Sequence, residues 1–73
     1  MRKENKMERK RKVAERLRNA RGEKTIRQVA KDCGISPSAV AMYERAERTP
    51  KDDVKIVLAN YYGTSVEDLF FAQ

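Results

Sequence analysis

The stretch TIRQVAKDCGISPSAVAMYERAER, residues 25–48, decides the fold. It divides at Gly34 into two short predicted helices, Thr25 to Cys33 and Pro37 to Arg45. Ser36 precedes Pro37, and a Ser hydroxyl at a helix N-cap accepts from a backbone amide that has no partner within the helix. Pro37 at the first helical position gives up only an amide that would be unpaired anyway. Thr25, with Gln28 three residues on, has the spacing of a reciprocal capping box. Between the helices, Asp32-Cys33-Gly34-Ile35 supplies a glycine where the chain must turn sharply.

The flanking sequence adds three more helices. Met7 to Arg21 carries Val13, Leu17 and Ala20 at i, i+4 and i+7, a narrow apolar stripe edged by Arg9, Arg11, Arg16 and Arg18. Gly22 ends it as a C-cap. Downstream, Thr49 and Pro50 are placed to serve as N-cap and first residue of a fourth helix, with Asp52 and Asp53 at the positive end of its dipole. Gly63 closes that helix. Val54, Val57, Leu58 and Tyr61 form one stripe on it, and Ile56, Ala59 and Tyr62 lie outside that stripe. Apolar residues so far round a helix imply either a core wrapped by several neighbours or a contact with a second subunit. Ser65 caps a short fifth helix, Val66 to Phe70, with Asp68 at its third position. Val29, Ala30, Cys33 and Ile26 of the second helix, and Val40, Tyr43 and Ile35 at the third, complete the expected core. The fold class is all-α with five helices. Phe70-Phe71 is costly to expose, so Tyr61, Tyr62, Phe70 and Phe71 are the expected contacts of a homodimer.

Seventy-three residues make one domain, residues 13–73, preceded by a basic segment at 1–12. That segment reads either as a solvated start or as an arm, or backward extension of the first helix, that touches phosphates. A domain of this size buries only about 60% of its unfolded surface. Cys33 is the single cysteine and there is no histidine, so neither an internal disulfide nor a metal site is expected. Cys33 itself reads as a small core residue. No cofactor and no small-molecule ligand suggest themselves. Catalysis is not expected either, since the chain has no histidine, no paired carboxylates in an apolar setting and no glycine-rich phosphate loop. The net charge of +6 and a pI near 9.8 favour a polyanionic partner. The basic start has no apolar face for a membrane surface and no apolar core of a signal peptide, and no run is long enough to span a bilayer, so a cytoplasmic protein is expected.

Two short helices, a tight turn and a basic setting make a helix-turn-helix. Gln28-Val29-Ala30, Gly34-Ile35-Ser36, Val40-x-x-Tyr43-Glu44 and Arg48-Thr49-Pro50 resemble the phage-repressor-like helix-turn-helix family of the lambda and Cro type. Asn60-Tyr61-Tyr62-Gly63-Thr64-Ser65-Val66-Glu67-Asp68-Leu69-Phe70 is similar to that family's fourth and fifth helices. The resemblance covers about sixty of the seventy-three residues.

The resemblance implies a regulator of transcription that binds double-stranded DNA as a homodimer on a palindromic operator, most often as a repressor. Its third helix would enter the major groove while the second crosses above the backbone. The positions matching Pro37, Ser38, Ala41 and Met42 read base edges in the family. Pro37, Ala41 and Met42 carry no side-chain donor and Ser38 carries one hydroxyl, so thymine methyl contacts and DNA shape gain weight here. Thr25, Arg27, Gln28, Ser36, Arg45 and Arg48, with Lys51, complete the expected DNA-facing set, mostly as phosphate ligands. The family often has Gln where Ile26 stands, and Ile26 cannot make that backbone contact. The family's Glu matching Glu44 pairs with an arginine of the first helix, for which Arg18 or Arg21 can serve. Where the family commonly has Gly in a left-handed conformation this chain has Ala46, so either the third helix runs further or the site is strained. Two other functions remain open at this point: the antitoxin of a toxin–antitoxin pair, and a protein-interaction module using the fourth and fifth helices.

Overall fold

Local capping and glycine placement divide the chain into short helices, which the computed structural model describes over residues 6–72. They run α1 Lys6–Arg21, α2 Ile26–Cys33, α3 Pro37–Glu44, α4 Asp52–Tyr61 and α5 Glu67–Phe71, with no strand among the described residues. The part of the expected basic arm before Lys6 lies outside the described residues.

Three helix ends share one hydrogen-bond pattern. After α2, the Ile35 N–H reaches Ala30 O at 3.0 Å and the Gly34 N–H reaches Lys31 O at 3.3 Å, with Gly34 at φ 71°. This is the Schellman motif, in which a left-handed residue turns the chain back on the last carbonyls. The same two bonds close α4 around Gly63. They also close α3, where Glu47 N–H reaches Met42 O at 2.9 Å and Ala46 N–H reaches Tyr43 O at 3.3 Å. The left-handed residue there is Ala46, at φ 61°. Of the two alternatives for Ala46, the strained one therefore holds.

The core gathers Leu17 from α1, Val29 and Ala30 from α2, and Ala39, Val40 and Tyr43 from α3. Leu58 and Ala59 from α4 and Leu69 and Phe70 from α5 complete it. Several expectations need correction. On α1 the buried pair is Ala14 and Leu17, and Ala20 is exposed, because the next inward position is taken by Arg21. Helix α4 starts at Asp52 rather than at Thr49-Pro50. Pro50 forces the residue before it toward extended backbone, and Lys51 becomes a cap with no side-chain bond. Asp53 compensates by accepting from the Val54 N–H at 2.9 Å. On α4, Leu58 and Ala59 point inward, while Ile56 and Val57 are exposed. Phe70 is a core residue, so the exposure that made it an expected dimer contact is absent. The last turn, α5, has π-type hydrogen bonding and begins one residue late, although the Ser65 hydroxyl still accepts from the Asp68 N–H at 3.0 Å. Arg16 of α1 holds this turn by donating to the carbonyls of Leu69 and Ala72.

Candidate nucleic-acid interface

The α2–turn–α3 unit is assembled from side chains that cap and side chains that anchor. At the start of α2, Thr25 Oγ1 accepts from the Gln28 N–H at 3.0 Å. The reciprocal half of the expected capping box does not form. The Gln28 amide instead donates along the helix to Asp32 Oδ1 at 2.8 Å. The amides of Ile26 and Arg27 thus remain without an acceptor inside the helix, at the positive end of its dipole. At the start of α3, Ser36 Oγ accepts from the Ala39 N–H at 3.0 Å, and its own hydroxyl hydrogen remains available as a donor.

Helix α3 has two unlike faces. Ala39, Val40, Tyr43 and Glu44 are buried. Pro37, Ser38 and Arg45 are exposed, and Ala41 and Met42 are half-buried on the same outward side. Its exit is held from α1. Arg21 makes two parallel hydrogen bonds to the Glu44 carboxylate, at 2.8 and 2.9 Å, and Arg18 donates to the Glu44 carbonyl. Both arginines anticipated as partners of Glu44 are used, one on the side chain and one on the backbone. The hydrogen bond to Glu44 also raises the Arg21 pKa above its ordinary value.

The remaining expected DNA ligands are Thr25, Arg27, Gln28 and Arg48, all exposed. Gln28 is committed to Asp32. Arg45 is committed to Glu47, at 3.1 Å. Glu47 was not foreseen, although a carboxylate two residues from an expected phosphate ligand is visible in the sequence. Ile26 packs against the core, as its lack of a polar group requires. Cys33 is half-buried against the core, and burial pushes its thiol pKa up.

A second unforeseen pair braces α2 against α4. The Tyr61 hydroxyl donates to Asp32 Oδ2 at 2.6 Å. This bond lowers the Asp32 pKa and pushes that of Tyr61 up to about 12. The Lys24 ammonium lies 4.7 Å from the Tyr61 ring centroid, a cation–π contact. Tyr62 meets Tyr61 edge-on and is also raised to about 12, chiefly by burial. Of the four expected dimer residues, only Phe71 is largely exposed.

The basic excess is unevenly placed. Residues 1–12 hold seven of the seventeen Lys and Arg and two of the eleven Asp and Glu, so they carry five of the six net positive charges. Among the described residues, no helix is long and apolar enough to cross a membrane.

Residues 15–69 match the helix-turn-helix family. No curated protein and no solved structure matched the chain. The matched span begins in the middle of α1 and ends in α5, and so takes in both arginines that grip Glu44 and the whole outward face of α3. This chain belongs to the helix-turn-helix family of the phage-repressor, XRE type, and is a DNA-binding regulator.

Proposed function

We propose that this regulator binds a palindromic operator as a homodimer, with α3 in the major groove, and represses transcription. The observation that carries the reading is the contrast between the two faces of α3. One face is locked into the core and to Arg21, and the other presents exposed Pro37 and Ser38 at the helix start, with half-buried Ala41 and Met42 behind them. A rigid helix offered amino end first is what major-groove insertion requires. Thr25, Ser36, Arg27, Arg45 and Arg48 surround it as phosphate ligands. The Glu47 carboxylate on Arg45 opposes that role, so Arg27 and Arg48 carry more of it. Homodimerisation is favoured by Ile56 and Val57 on α4, which are 53% and 41% exposed. Exposed apolar side chains in so small a domain suit a partner surface. A second copy places two copies of α3 on two half-sites.

Selection of bound sequences from random duplex DNA tests the reading. Enrichment of an inverted repeat is expected. Enrichment of a single half-site defeats the dimer, and no enrichment favours a protein-interaction module, or an antitoxin whose apolar surface serves a toxin.

A further inference from the structure

A groove of about 160 Å³ lies between α1, the end of α3, the α3–α4 connection, the first turn of α4 and α5. Val13, Tyr43, Pro50, Phe70 and Phe71 supply its apolar lining. Arg9, Lys10, Arg48 and Lys55 also line it, and among the described residues no acidic side chain does. Lys55 is the unusual member. Its side chain is only 14% exposed, and its ammonium sits 4.7 Å from the Phe71 ring centroid and 5.8 Å from that of Phe70. Its acidic neighbour, Asp52, is 98% exposed and approaches no closer than 3.8 Å. A cation drawn out of water onto aromatic faces gains most from an anion that enters the same apolar space.

We propose that this groove binds a small aromatic carboxylate: one six-membered ring bearing one carboxylate. An apolar cavity of about 150 Å³ takes one benzene ring, which matches this groove. The ring lies among Val13, Pro50 and the two phenylalanines, and the carboxylate meets Lys55 and Arg48. A guanidinium offers two parallel donors to a carboxylate, so Arg48 is the more specific of the two ligands. Arg48 is also a proposed phosphate ligand, and the coupling between sites rests on that reading. A carboxylate that holds Arg48 withdraws it from DNA, so ligand and duplex oppose each other, and linkage makes the effect mutual.

The test uses the full chain. Benzoate, the neutral isostere benzamide and ringless acetate are titrated at matched ionic strength, read by calorimetry and by backbone amide NMR. Benzoate is expected to saturate with a dissociation constant on the order of 1 mM, and benzamide and acetate to bind about tenfold more weakly. Shifts should centre on α1, residues 46–50, Lys55 and α5. Lys55→Met keeps the stem across the rings but removes the charge, and should weaken benzoate about tenfold. Val13→Trp fills the groove and should abolish binding; far-UV melts establish that both variants fold. Three results overturn the proposal: no saturation by benzoate, equal affinity for benzamide, or shifts confined elsewhere. So does a dependence of the same amide shifts on protein concentration alone, which assigns the groove to a second copy. In a second arm, benzoate should weaken duplex binding, and Val13→Trp should remove that sensitivity. Benzoate binding without effect on duplex affinity rejects the coupling. No duplex binding in untreated protein rejects the DNA reading instead, and the titration still decides the ligand site.

Discussion

Arg21 Nε and Nη2 meet the two carboxylate oxygens of Glu44 at 2.8 and 2.9 Å, tying the last residue of α1 to the last residue of α3. Glu44 is 5% exposed. A buried carboxylate is tolerable only while its partner stays, so Arg21→Ala is expected to destabilise the fold by about 3 kcal/mol. Arg21→Lys should recover only part, because an ammonium cannot donate the two parallel bonds. Replacing both residues, Arg21→Met with Glu44→Leu, should cost less than Arg21→Ala, since no charge is left stranded. Urea denaturation measures all three. A double variant no more stable than Arg21→Ala sinks the argument.

Ala46 occupies, at φ 61°, the position that Gly34 and Gly63 fill after α2 and α4. A Cβ in the left-handed region crowds the neighbouring carbonyl, at a cost of about 1 kcal/mol relative to glycine. Ala46→Gly is therefore expected to stabilise by about that amount and raise Tm by about 4–8 °C. A lower Tm would mean that the extra backbone entropy glycine gives the unfolded chain outweighs the relief of strain.

What was legible in the sequence was local. Ser36 and Ser65 cap as expected, Thr25 caps without the Gln28 half of its box, and Gly34 turns the chain, because caps and turns depend on residues within one helical turn. Glu44 with Arg18 and Arg21 was legible through the family resemblance. Burial was less so. Helix α4 is apolar too far round for its period to say which side faces in; the shared core takes Leu58 and Ala59 and leaves Ile56 and Val57 outside. Phe70 and Phe71 are adjacent and alike, and only packing in the folded chain distinguishes them, burying the first and leaving the second exposed. The Tyr61–Asp32 bond joins residues twenty-nine apart, and no local pattern announces it.

That bond sets a pH window. Asp32 has its folded pKa depressed below 3.8, so its contribution is present above that value and is lost as pH falls through the folded pKa. Tyr61 has its folded pKa raised from 10.0 to about 12, so its contribution is full below 10 and is lost as pH rises toward 12. The stability difference between the protein and Tyr61→Phe is expected to be flat between these limits and to shrink beyond both. Denaturation of both proteins across pH measures it. A difference that stays constant into the alkaline range would show that the hydroxyl does not hold Asp32.

Ile56 and Val57 point away from the core, so a charge at either should spare the fold and oppose association. Ile56→Lys is expected to change stability by no more than about 0.5 kcal/mol. It should shift a homodimer toward monomer in sedimentation at micromolar concentrations, with and without operator. Leu58→Lys, one residue on and buried, should unfold the chain and serves as the contrast. Unchanged association in Ile56→Lys would move the dimer contact away from this part of α4.

Side chains that position the protein on DNA and side chains that read bases respond differently to salt. Arg27 and Arg48 are assigned to phosphates, and Ser38 and Met42 to base edges. Each phosphate neutralised adds about 0.9 to the slope of log affinity against log salt on duplex DNA. Arg27→Ala or Arg48→Ala should flatten that slope by about one unit and weaken all sequences alike. Glu47→Gln should do the reverse, strengthening binding without regard to sequence, because it frees Arg45 and removes a like charge from the phosphates. Met42→Ala and Ser38→Ala should leave the slope unchanged. They should instead relax preference at one operator position by about 1 kcal/mol or less, since an apolar contact or a single hydroxyl discriminates less than a paired hydrogen bond. Titrations at several salt concentrations, on operator and on scrambled duplex, distinguish the two groups. If Met42→Ala and Ser38→Ala keep the full preference for operator, α3 is not the reader. The residues before Val13, which hold most of the net charge, or the shape of the duplex would then carry specificity.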